Sequence, residues 1–220
     1  MNHTKLLFSR QHTYLLSSLS VGALLCSADV MASGKGLQGY VLQVQMTPAI
    51  CALDRTKAKH RKCLEGYSLT IKGLIPETSR HDCQTSSSAT LAPLQKRVVA
   101  RVMPDEQARI RLWANYGGCV PMNASQYFRT IINHADQLKV PDYLTGVDRK
   151  TVSIAALRSQ FIKLNPKLPS QGIEFQCQSL NGRPVLTGIE ICYRTNGQFK
   201  SCASDIVSTC PNTFDIEGAY

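Results

Sequence analysis

Two short stretches carry residue types that could do chemistry. The first is Leu69-Thr70-Ile71-Lys72-Gly73-Leu74-Ile75-Pro76. Its opening residues favour a strand, and the Gly and Pro that follow predict an abrupt turn. Lys72 then stands at the end of a core strand, where a charge points into a cleft and can hold a phosphate. The second is a basic run, Arg55, Lys57, Lys59, His60, Arg61 and Lys62, flanked by Cys51 and Cys63. It reads as a tethered loop, suited either to phosphate contacts or simply to solvation. Beyond residue 32 the histidines are His60, His81 and His134. An imidazole titrates near neutral pH and can serve as acid or base, but these three fall in loops or on a helix and read as surface side chains.

The elements that must position these groups follow from periodicity. Gly39 to Met46 alternates and reads as a largely buried strand, ended by Thr47-Pro48. Tyr67 to Lys72 is the next strand, and 77–90, rich in Ser and Thr, is a surface loop. Apolar residues at helical spacing predict a helix over 91–102, broken by Pro104-Asp105. A second helix runs from Glu106 to Tyr116, with Ile110 and Trp113 on one side, and Gly117-Gly118 stops it beside Cys119. Asn123 or Ser125 caps a third helix through Leu138, with Tyr127, Phe128, Ile131, Ile132 and Ala135 as its core stripe. A fourth starts at Thr151 or Ser153 and closes at Asn165-Pro166. The last third is β: Gly172 to Gln178, the turn Asn181-Gly182, Val185 to Arg194, a loop over 196–210, and an edge strand from Thr213 to Ile216. No repeat or linker interrupts the pattern, which reads as a single α+β domain.

The N-terminus has the layout of a secretory signal. Lys5 and Arg10 form a basic region, Tyr14 to Leu25 is apolar, and Val30-Met31-Ala32 offers a cleavage point before Ser33. The apolar run is shorter than the ~20 residues a spanning helix needs, and no later stretch is apolar enough to be a transmembrane helix. The chain therefore divides into a signal peptide, 1–32, and a domain, 33–220. Losing Lys5, Arg10 and Asp29 leaves 23 basic against 14 acidic residues, a net charge of +9. That balance favours polyanions: nucleic acid, or an anionic component of the cell envelope. Eight cysteines remain: Cys51, Cys63, Cys83, Cys119, Cys177, Cys192, Cys202 and Cys210. An even count behind a signal peptide implies disulfides in an oxidising compartment, periplasmic or extracellular, although counting does not fix the pairing. With no C-x-x-C pair, a zinc site is disfavoured, and no metal or cofactor is expected.

The stretch Thr70-Ile71-Lys72-Gly73-Leu74-Ile75-Pro76 resembles the first active-site motif of the ribonuclease T2 family, F-T-I-H-G-L-W-P. Leu112-Trp113-Ala114-Asn115-Tyr116-Gly117-Gly118-Cys119 resembles the second, E-W-x-K-H-G-x-C. Pro48-Ala49-Ile50-Cys51 is similar to the family's P-x-x-C after the first strand, and the C-terminal cysteine spacing also matches. The resemblance covers nearly all of the chain beyond residue 32. It implies a central antiparallel sheet packed with several helices and stapled by four disulfides, Cys51–Cys63, Cys83–Cys119, Cys177–Cys210 and Cys192–Cys202.

Members of the family cleave RNA through a 2′,3′-cyclic phosphate, with histidines as acid and base and a Glu and a Lys stabilising the charged phosphorane. Here the His of the first motif is Lys72. The Glu, Lys and His of the second are Leu112, Asn115 and Tyr116. Gly73, Leu74, Pro76, Trp113, Gly117 and Cys119 keep the frame, so the register is fixed while all four catalytic positions are changed. The resemblance therefore implies a pseudoenzyme, with Lys72, Trp113 and Tyr116 as candidate contacts to RNA or nucleotides; the alternative for Trp113 is core packing. A second reading is an interaction protein whose cleft or basic loop binds a protein or an envelope polyanion. A third is an endoribonuclease in which Lys72 and Tyr116 act as base and acid. That pair lacks the carboxylate and the second cation, and both side-chain types hold their protons at neutral pH.

Overall fold

A computed structural model describes residues 36–219, apart from 55, 57 and 58. The expected signal peptide and its cleavage point, with Arg55 and Lys57 of the basic run, lie outside the described residues. Among those described, six strands and six α-helices form an α+β fold.

Strand β1, Gly39–Met46, lies between the edge strand β2, Leu69–Glu77, and β5, Arg183–Tyr193. The hairpin partner of β5 is β4, Ile173–Leu180, joined to it through Asn181 and Gly182. Both turn residues have positive φ, 51° and 80°, the conformation a tight hairpin turn of this kind requires. Strands β3, Lys150–Ser153, and β6, Thr213–Ile216, extend the sheet beyond β5. Pairing is antiparallel except at the β5–β6 contact, which is parallel.

Helices cover one face of the sheet. Leu42, Val44, Leu74, Phe175, Ile189, Ile191 and Tyr193 are buried there with side chains from α4, Glu106–Tyr116, α5, Ala124–Gln137, and α6, Ile154–Leu164. Asp105 caps α4 by accepting from the Ala108 N–H at 3.0 Å. Asn123 and Gln126 form a reciprocal capping box on α5. The disulfides join Cys51 to Cys63, Cys83 to Cys119, Cys177 to Cys210 and Cys192 to Cys202.

Three local expectations fail, for tertiary reasons. The motif strand does not stop at Lys72 but continues through Gly73 and Pro76 to Glu77. Strand β2 is an edge strand, so the missing N–H of Pro76 breaks no ladder bond. Strand β1 does end at Thr47-Pro48, as expected, and Pro48 sits in the first turn of α1, Thr47–Leu53, where its absent N–H costs nothing. Lys150–Ser153 pairs with β6 before Ser153 caps α6. On α4 the buried residues are Arg109, Leu112 and Trp113, while Ile110 is 42% exposed. The remaining helices are α2, Arg61–Leu64, and α3, Pro93–Ala100.

Candidate functional site

Lys72 occupies a β-bulge. Gln43 of β1 faces Gly73 and the next residue, Val44, faces Ile71, so Lys72 is the extra residue with no partner across the ladder. A bulge re-aims the side chain it carries. Lys72 is exposed and lines two adjoining clefts, one towards α4 and α2 and one towards β4 and β5.

The first cleft, about 210 Å³, brings Lys72 together with His60, Lys62, Arg111, Gln45 and Asp105. They come from four elements: Lys72 from β2, Gln45 from β1, His60 and Lys62 from α2 and its cap, and Asp105 and Arg111 from α4 and its cap. The Cys51–Cys63 bridge ties α2 to α1, the helix that follows β1, and Lys62 Nζ donates to Gln45 Oε1 at 2.6 Å. Arg111 comes from the exposed face of α4, and Asp105 is engaged as the cap of the same helix. Among the described residues no carboxylate pairs with Lys72 or Arg111. A wider recess of about 360 Å³ continues past His60, Lys62 and Arg111 to Arg61. The second cleft, about 130 Å³, runs the other way from Lys72 and Gln45 and is lined by Gln43, Gln176, Gln178 and Glu190.

The second motif lies on the last two turns of α4, packed under β2. Leu112 is 7% exposed, and a Cβ added to Gly73 would fall 2.7 Å from Leu112 Cδ1. An apolar side chain thus presses on the residue after Lys72. Trp113 is 3% exposed: its ring packs against Tyr127 at 5.6 Å between centroids, and its Nε1–H donates to Ser87. The indole is a core and loop-anchoring group, and no face of it is free for a base. Asn115 is exposed, and Tyr116 is half-buried against the core. The cleft that holds Lys72 is lined by neither of them.

The histidines divide three ways. His60 is in the cationic cleft, and His81 is exposed in the loop before Cys83. His134 is not a surface side chain: it is 5% exposed, its Nδ1–H donates to the Thr130 carbonyl at 2.7 Å, and its ring meets Tyr193 edge-on at 4.2 Å. Burial lowers its pKa, opposed by the bond to Thr130. Arg111, Gln45 and Glu190 are the site residues that sequence reasoning missed. A signal for Arg111 was present: it precedes Leu112 in the second motif and lies one helical turn from Asn115 on the same face. Among the described residues no cluster of His, Cys, Asp and Glu could hold a metal.

This architecture is the ribonuclease T2 fold. Neither a family profile nor a curated protein matches the sequence, so the likeness rests on solved structures. Ribonuclease MC1 from bitter gourd seeds superposes with a TM-score of 0.64 at 17% identity, over 80% of this chain and 98% of that one. The Japanese pear S3-RNase gives 0.62 at 17% identity over 80% and 98%. An RNase-related protein from Calystegia sepium gives 0.64 at 17% identity, over 84% and 98%.

Proposed function

We propose that this protein is a pseudoenzyme of the ribonuclease T2 fold that binds the phosphates of RNA or nucleotides without cleaving the chain. The observation that carries the reading is the cleft at the Lys72 bulge. Lys62, Lys72 and Arg111 converge there from three elements, and the side chain packed against Gly73, next to Lys72, is Leu112 rather than a carboxylate. Three fixed cations attract phosphate. They supply no group that gives up and regains a proton near neutral pH, which in-line attack by a 2′-hydroxyl needs. Among the described residues His60 is the one imidazole lining the cleft, which disfavours an acid–base pair of imidazoles. A point variant of RNase MC1 has been solved with 5′-UMP and another with 5′-GMP, which supports nucleotide binding by this fold. The signal-like N-terminus and the four bridges support export to an oxidising compartment, periplasmic or extracellular. No helix among the described residues is long and apolar enough to cross a membrane.

The test is digestion of single-stranded RNA by the purified domain, analysed for 2′,3′-cyclic phosphate ends beside a Lys72→Ala variant. The expected result is intact RNA over hours from both proteins, with salt-sensitive RNA binding by the parent. Cyclic ends produced by the parent and lost in Lys72→Ala would establish an altered Lys/Tyr chemistry instead. RNA left unbound at low salt would favour a protein or envelope partner.

A further inference from the structure

The cleft beyond Lys72 differs in chemistry from the cationic one. Its walls carry four glutamine side chains, from Gln43 and Gln45 on β1 and Gln176 and Gln178 on β4, with Glu190 of β5. Glu190 is held as an acceptor: Gln43 Nε2 donates to one carboxylate oxygen at 2.9 Å and Gln176 Nε2 to the other at 3.1 Å. Two amides orient it, and among the described residues no Lys or Arg neutralises it. Each oxygen keeps a lone pair for a further donor. Gln43 and Glu190 also line the next recess, about 480 Å³, so there is room on both sides of the carboxylate. The other glutamate of that recess, Glu77, is taken by Lys200 at 2.6 Å.

Resting on the phosphate-binding reading, we propose that Glu190 is the base-selecting residue of this groove and that the base it selects is guanine. The Watson–Crick edge of guanine presents two parallel donors, N1–H and the 2-amino group, which a carboxylate can accept together. Uracil offers one donor between two acceptors, and its carbonyls would face the carboxylate charge. Strand geometry sets the reach. Lys72 and Glu190 lie on the strands either side of β1, and neighbouring strands are ~4.8 Å apart, so their backbones stand roughly 10 Å apart across the sheet. One nucleotide laid over Gln43 and Gln45 can therefore put its phosphate at Lys72 and its base at Glu190. The glutamine amides, each donor and acceptor, can meet the remaining polar atoms of the base.

The experiment is calorimetric titration of the full domain with 5′-GMP, 5′-IMP and 5′-UMP, repeated on Glu190→Gln and Glu190→Ala, with thermal melts confirming the fold of each. A bidentate contact of this type discriminates by roughly 5- to 150-fold. GMP is expected to bind tighter than UMP within that range, and IMP, which lacks the 2-amino group, to fall towards UMP. Both variants should lose the GMP preference and keep the UMP affinity. Equal affinities for GMP and UMP in the parent, or a preference that survives in both variants, would overturn the assignment while leaving phosphate binding intact. Absence of binding by all three nucleotides and by inorganic phosphate would overturn the underlying reading with it.

Discussion

Replacing Lys72 by Ala tests the cleft most directly, because the residue is exposed at a bulge and its loss disturbs no ladder bond. On single strands the slope of log K against log salt is about −0.7 per phosphate neutralised. Lys62, Lys72 and Arg111, each meeting one phosphate, give a slope of about −2.1, or roughly a 20-fold loss of affinity between about 50 and 200 mM salt. Lys72→Ala should reduce the slope to about −1.4, roughly a 7-fold loss over the same range. Arg111→Ala should have a similar effect. The assay is fluorescence anisotropy of a labelled oligonucleotide across a salt series near pH 8, where free imidazole is neutral. Cations elsewhere on this basic surface add a constant to every slope, so the difference between parent and variant carries the test. A slope unmoved in both variants would place the phosphate contacts outside the cleft and remove the basis for the proposed function.

His134 predicts an acid-side loss of stability. Its pKa is lowered in the fold by burial, so the unfolded chain takes up the proton first as pH falls below ~6.5. Stability should be level above that pH and decline below it, and His134→Phe should flatten the decline in urea midpoints; an unchanged decline would assign it to other groups. Trp113, the sole tryptophan, should emit at short wavelength, resist acrylamide and stay unquenched when a nucleotide binds. Quenching on binding would mean that the indole stacks on the base after all. Leu112→Glu should lower stability by about 2 kcal/mol or more from lost apolar burial alone, measured by denaturant unfolding. A neutral effect would mean the carboxylate finds Lys72 or Arg111. Removing Cys83–Cys119, which closes a separation of 36 residues, should cost about 4 kcal/mol on the loop-entropy account, against about 3 for Cys192–Cys202 with a separation of 10. The reverse order would point to native-state contacts in place of loop length.

Much of the scaffold was legible in the chain. Alternation marked β1, Asn181-Gly182 marked the hairpin between β4 and β5, and Asn123, one of two candidate caps, stood at the start of α5. These signals are local: a cap or a turn is decided by a few neighbouring dihedrals and side-chain bonds. The two motifs also gave, without any structure, the expectation that Lys72, Leu112, Asn115 and Tyr116 stand where the resembled motifs carry their acid–base residues.

What the tertiary structure alone decided was which groups share a space. That β2 runs on through Pro76 depends on its lying at the sheet edge, and the Lys72 bulge depends on register against β1. His134 is buried because Tyr193, nearly sixty positions away, packs on it. Lys62, Lys72 and Arg111 meet because a disulfide, a bulge and the docking of α4 bring three elements to one cleft. Glu190 faces Gln43 across a strand pair separated by 147 residues. Periodicity reports which face of an element is apolar. It does not report what stands opposite that face, because pairing and packing are settled by contacts that span the whole chain.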